Sequence, residues 1–384
     1  MRVQLTRALA ISLATVLLAP AARAADRPDV TVSSELSSYV GTDSVVVLTP
    51  TIAATVSDPT AGWRLDGHYL LDVVSAASPD IVSTASQRWV EPRNEGEIAA
   101  SYKPRELGLS AAANVSSEPD YLAMTFSGAV TRDFDNKLLT VLLGGSYAHD
   151  TIGKAGTPFS MFSQHVSRGG LKLGFTRILD ASSFVSVVAD VFLERGDTSK
   201  PYRFIPLFTP GTSVPNGASA DLVNALRLDA KVIERLPTSR ERYAIGIGYG
   251  YRFRASTLRL EERLYTDSWS LYASTLDARW LFDTSKRWQV GPHVRFHGQN
   301  GVSFWRRAYT TASELTAPTL RTGDRELSPL VTATLGGTLR RSFGENDAWT
   351  FGVDANAAYT RFLDAISVTD RLAIFGGVSL EVRK

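Results

Sequence analysis

The chain has 384 residues, 44% of them hydrophobic, a formal net charge of +2 and no cysteine. The missing cysteines exclude a disulfide framework and a thiolate metal site, and the near-neutral charge gives no global reason to expect nucleic acid as a partner. Glycine (29) and the aromatics (Tyr 13, Phe 17, Trp 7) are plentiful. At the N-terminus Arg2 and Arg7 precede an apolar run from Ala8 to Ala19, followed by Ala22-Arg23-Ala24. A basic segment, a short apolar segment and a small-residue cleavage site predict a signal peptide over 1–24. The run is too short to span a bilayer as a helix, and no other run of about 18 apolar residues follows. The mature chain is then an exported β protein, either soluble in the periplasm or a barrel in the bacterial outer membrane.

After a short leader over 25–29, stretches of about ten residues with period-two alternation recur, the length expected of tilted transmembrane strands. The first are Val30–Val40, Val45–Val56 and Trp63–Val74. The third alternates Trp63, Leu65, Gly67, Tyr69, Leu71 and Val73 against Arg64, Asp66, His68 and Asp72. A polar segment over 75–95 leads to Glu97–Tyr102, Leu107–Ser116, Tyr121–Arg132 and Leu138–Ala148. A loop over 149–166 precedes Ser167–Leu179 and Ser183–Glu194. Residues 195–240, rich in Pro, Gly and Ser, form the largest interruption and contain one alternating piece, Leu226–Ile233. Alternation resumes at Tyr243–Phe253 and continues through Leu258–Phe282, Trp288–Gln299, Leu330–Ser342, Trp349–Thr360 and Leu372–Val382.

Leu258–Phe282 is the clearest hairpin. One face carries Leu258, Leu260, Leu264, Leu276, Trp280 and Phe282; the other carries Arg259, Glu261, Arg263, Asp277 and Arg279. The polar face is too heavily charged for the core of a soluble sandwich, so the apolar face is expected to meet lipid. Glu262 falls on that apolar face, which implies either a place near the headgroups or a bulge at Glu261-Glu262. The short connections (57–62, 103–106, 133–137, 180–182, 255–257, 283–287, 343–348) fall on one side and the long ones on the other. That asymmetry holds only if Leu226–Ile233 stays out of the wall. The count is then about 16 strands, within 14–18, in a single antiparallel transmembrane β-barrel over 30–384 with short periplasmic turns and long extracellular loops, 195–240 being the longest excursion. Trp63, Tyr243, Phe253, Trp280, Phe282, Trp288, Trp349 and Tyr359 at strand ends fit interfacial aromatic girdles.

The stretch Asp72 to Ser86 (DVVSAASPDIVSTAS) with Glu91-Pro92-Arg93 behind it resembles a family of bacterial outer-membrane barrels known as a domain of unknown function. Two further patches agree: Gly196 to Arg203 with Arg235 to Arg240, and Glu262 to Trp269. In the last, the family tends to show a Tyr-Arg-x-Tyr-x-Asp-x-Trp-like run, and Glu262 stands in place of the first Tyr. The resemblance implies a barrel of this topology. It brings no established activity or catalytic residues.

The candidate lumen-facing residues are Arg64, Asp66, His68, Asp72, Arg252, Arg259, Glu261, Arg263, Asp277, Arg279, His293, Arg295 and His297, with Lys172, Asp190, Glu194, Asp267, Arg340 and Asp354 in the wider inward set. Both signs occur, so salt-bridged ladders between neighbouring strands are expected. The sector that ends in His293, Arg295 and His297 is net basic, which points to anionic solutes. His293 and His297 lie about 7 Å apart along a strand, too far for one metal ion without help from elsewhere. No metal, cofactor or catalytic set is expected: Gly-x-Ser-x-Gly is absent, and His149-Asp150 and Ser163-Gln164-His165 share a loop. The expected partners are outer-membrane lipid and the outer-membrane assembly machinery. Two functions remain: a pore or channel for small solutes, with anions favoured by the partly basic lumen, or a non-conducting scaffold barrel holding a periplasmic, lipoprotein or surface partner.

Overall fold

The computed structural model describes residues 28–76, 89–154, 156–201, 203–313 and 316–384. The expected signal peptide over 1–24 and the connection 77–88 lie outside the described residues. In chain order the strands are β1 (Asp29–Gly41), β2 (Val46–Asp58), β3 (Trp63–Ala76), β4 (Trp89–Tyr102), β5 (Leu107–Glu118), β6 (Tyr121–Phe134), β7 (Leu139–Ile152), β8 (Gln164–Ile178) and β9 (Ser183–Gly196). Then come β10 (Phe204–Phe208), a short helix α1 (Ala220–Leu226), β11 (Arg227–Ile233), β12 (Ser239–Arg252), β13 (Ser256–Asp267), β14 (Tyr272–Asp283) and β15 (Trp288–Gln299). The chain finishes with β16 (Tyr309–Thr310), β17 (Leu330–Phe343), β18 (Trp349–Phe362) and β19 (Asp370–Arg383).

Sixteen of these strands close into one antiparallel barrel, and β1 pairs with β19 from Thr31↔Arg383 to Gly41↔Ala373. Closure leaves no sheet edge, which is what lets a strand assembly stand in lipid with every backbone group paired. The outward face carries exposed apolar side chains along its whole height, among them Leu65, Ile98, Phe126, Leu143, Leu264, Leu276, Phe296, Leu335 and Ile374. The inward face alternates with it and is polar. The protein is a transmembrane β-barrel of sixteen strands.

The turns at one end are short. At the β2–β3 turn Gly62 has φ +80° and its carbonyl accepts from the Lys103 amide at 2.6 Å. A Cβ there would lie 2.6 Å from the Lys103 carbonyl oxygen, so the turn needs glycine. All the long connections emerge at the other end. The strands run further than the alternation suggested: β4 starts at Trp89, and the loop expected over 149–166 contracts to 153–163 because β7 and β8 extend into it. The aromatic girdle forms as expected, with Trp63, Phe253, Trp280, Trp288 and Trp349 outward near the short turns and Tyr243 and Tyr359 outward near the long loops.

β11 stays out of the wall, as the parity of the connections requires. It belongs to a three-stranded sheet of order β11-β10-β16, in which β10 pairs antiparallel with β11 and parallel with β16 (Leu207↔Tyr309). The two longest connections, 197–238 and 300–329, therefore fold together into one cap. Its core is well buried: Ile205, Leu207, Phe208 and Tyr309, with Val214, Ala218 and, from α1, Val223 packed beside Phe208. A second cluster of Leu236, Trp269, Leu271, Val302 and Trp305 ties the cap to the β13–β14 turn, and Leu330, Phe362 and Ala365 anchor it on β17 and β18.

Candidate functional site

The site sits on the inward face of β12 to β17. Lumen-facing positions there hold Arg240, Arg242 and Arg252 on β12, Arg259 and Arg263 on β13, Arg279 on β14, Arg295 on β15 and Arg340 on β17. Against these stand Glu261, Asp267, Asp277 and Asp283. The glycines of β12 make this possible. Gly246, Gly248 and Gly250 lie opposite Arg263, Glu261 and Arg259 and bring no side chain into the lumen. A recess of about 360 Å³ results, with Phe184 and Ser186 of β9 on one side and Arg259, Arg279 and Arg295 on the other.

The ladder expected across the β13–β14 hairpin does not form. Its register sets Arg259 opposite Arg279 and Glu261 opposite Asp277, like charge against like. Directly opposed like charges repel, so the side chains turn elsewhere. Arg263 reaches over β12 to Asp190 on β9 at 3.0 Å, and Arg279 folds back onto Asp277 of its own strand at 3.1 Å. Asp277 also meets His293 Nε2 at 2.8 Å, while His293 Nδ1 lies 3.0 Å from Asn356. His297 contacts Thr275 at 2.8 Å and Gln299 at 3.3 Å. Each imidazole is thus held by its own neighbours, and the two do not converge. Asp277 is committed to two partners, so Arg259 and Arg295 have no carboxylate within ion-pair distance among the described residues, and Glu261 has no cation.

The remaining candidates divide. Arg252 pairs with Asp283 at 2.6 Å at the short-turn end. Arg64, Asp66, His68 and Asp72 lie on β3, across the lumen from the arginine wall. Arg64 binds Asp66 at 2.6 Å, Asp72 binds Arg93 at 2.7 Å, and His68 stands opposite Glu97 in the register. His149 and Asp150 are not in a loop but on opposite faces of β7. The His149 ring stacks outward on His165 at 5.4 Å, and Asp150 turns inward to Arg168 at 2.7 Å. Glu262 keeps an unbroken register (Ile247, Leu276), so no bulge is present, and it stands near mid-strand away from either end. Its carboxylate accepts from the Ser274 hydroxyl at 2.6 Å.

The pattern of single strands left two features out. Asn356 reaches His293 from 63 residues along the chain. A second cavity of about 440 Å³ lies between the cap and the wall, lined by Tyr121, Arg203, Arg227, Trp305, Arg306 and Tyr309 among others. The adjacent Arg306-Arg307 in the 300–329 connection is a sequence signal that could have pointed there. Within the cap Arg203 binds the buried Glu234 at 3.1 Å and Asp324 at 2.8 Å. Burial works against its charge, but these two carboxylates hold its guanidinium above the ordinary value.

Residues 22–379 match the model of a family described as a protein of unknown function (DUF3570). The chain belongs to that family. Solved structures with similar folds include the siderophore receptor PirA from Pseudomonas aeruginosa, at 10% identity and TM-score 0.42 over 93% of this chain and 62% of that one. CdiB from Acinetobacter baumannii is similar at 10% identity and TM-score 0.48, over 92% of this chain and 60% of that one. A bacterial polysaccharide outer-membrane secretin is similar at 9% identity and TM-score 0.46, over 94% and 100%. This DUF3570 chain spans about three fifths of the length of the first two. None of the curated proteins compared matches it.

Proposed function

We propose that the protein is an outer-membrane channel for small charged solutes, exported after removal of residues 1–24 and seated with its short turns in the periplasm. Sixteen strands leave a lumen wide enough for water, since strand number sets the diameter. The observation that carries the reading is the surplus of charge at the recess: Arg259 and Arg295 are held on the lumen wall without carboxylate partners among the described residues. A structural network would have no use for such arginines, whereas a carboxylate or phosphate passing through the lumen would supply the missing charge-assisted hydrogen bonds.

The cap supports a second reading. Its ordered core across the outer mouth suits a barrel that holds a partner, such as a periplasmic protein or a lipoprotein, rather than one that conducts. Planar-bilayer recording of the purified protein separates the two. Steps of stable conductance, with anion permeability that falls in Arg259→Gln/Arg295→Gln, support the channel. Silent bilayers with a co-purifying partner support the scaffold.

A further inference from the structure

In the ring of sixteen strands β13 lies eight places from β3, and β14 eight places from β4, so these strands face each other across the lumen. On β2 to β6, opposite the arginine wall, the lumen-facing positions whose side chains are described carry Asp66, Asp72, Glu95, Glu97, Glu118 and Asp133 against Arg64 and Arg93. Local cations account for three of the six: Arg64 binds Asp66, Arg93 binds Asp72 at 2.7 Å, and Lys103 of the adjoining turn binds Asp133 at 2.8 Å. Glu95 accepts from the Asn114 side-chain amide at 3.0 Å and meets a cation only at 3.5 Å, the already committed Arg93, and Glu97 has no cation within ion-pair distance among the described residues.

The two surpluses occupy overlapping stretches of their strands. Counted from the short-turn end of their strands, Arg259 and Arg295 are three and seven residues in, and Glu97 and Glu95 are five and seven. A lumen with one cationic and one anionic wall facing each other sustains a field across the channel as well as along it. A simple anion is drawn to one side and repelled by the other, so the pair of walls gives it little net advantage. A molecule with an anionic and a cationic end gains at both walls when it lies across the field.

We infer that the channel selects small zwitterionic solutes, of the kind that carry a carboxylate and an ammonium group; this rests on the channel reading above. The walls act through water, where charges are screened within about 8 Å at physiological ionic strength, so the preference strengthens as salt is lowered.

Glycine and its neutral isomer glycolamide have the same atoms and differ in charge separation, which makes them suitable probes. In proteoliposome uptake the wild-type protein is expected to admit glycine several-fold faster than glycolamide at low salt, and the gap is expected to narrow at high salt. Glu95→Gln/Glu97→Gln and Arg259→Gln/Arg295→Gln should each bring glycine down to the glycolamide rate. In a KCl gradient the first variant should move the reversal potential toward anion selectivity and the second toward cation selectivity. Heat-modifiable migration on gels confirms that each variant is folded. Equal entry of the two isomers into wild-type vesicles, or variants that move the reversal potential the same way, overturns the inference and leaves the channel standing. No entry of either isomer overturns both.

Discussion

Glu262 places a carboxylate on the lipid face near mid-strand, and among the described residues the Ser274 hydroxyl alone donates to it. Charged groups on that face destabilise a barrel most at the bilayer midplane, acidic ones less than basic ones. Glu262→Leu should therefore stabilise the fold by about 1–2 kcal/mol, read as a higher temperature for the gel shift between folded and unfolded forms. A variant that fails to fold would mean that Glu262 does not face lipid. Asp277 is the opposite case. It sits beneath Arg279 and His293 with little exposure, and its loss strands both. Asp277→Ala should cost about 2 kcal/mol by the same gel assay, and an unchanged transition would show that the carboxylate holds nothing in place.

Most wall strands were legible because they repeat a period of two over ten or so residues, long enough for the inward charges and outward apolar residues to declare themselves; β4 was legible only over Glu97–Tyr102. Trp63–Val74 and Leu258–Phe282 read that way without help. The cap was not legible. β10 has five residues and β16 has two, too few for a period, and Leu207 meets Tyr309 across about a hundred residues of chain. The direction of the arginines was also hidden. Alternation assigns Arg259 and Arg279 to one face, but the register that sets them opposite each other depends on the length of the turn between β13 and β14. The cap turns on Glu234, a buried carboxylate that accepts from Arg203, the Lys200 amide and the Thr322 hydroxyl. Removing one partner of a buried ion pair typically costs about 3–5 kcal/mol. In Glu234→Ala, protease should cut within 204–233 while the barrel keeps its heat-modifiable migration. A cap that resists cleavage would show that its apolar core suffices alone.

For the whole molecule, the closed sixteen-strand ring, the glycine-floored recess and the surplus arginines are the features on which the proposed channel rests. The cap strands form a sheet of their own outside the wall, so the barrel should hold together without them. The most direct measurement is single-channel recording of the purified protein in planar bilayers, paired with heat-modifiable gel migration on the same sample. The account predicts a shifting band together with discrete, stable conductance steps whose ion preference changes in Arg259→Gln/Arg295→Gln. A folded, heat-modifiable barrel that stays silent at every voltage would contradict it.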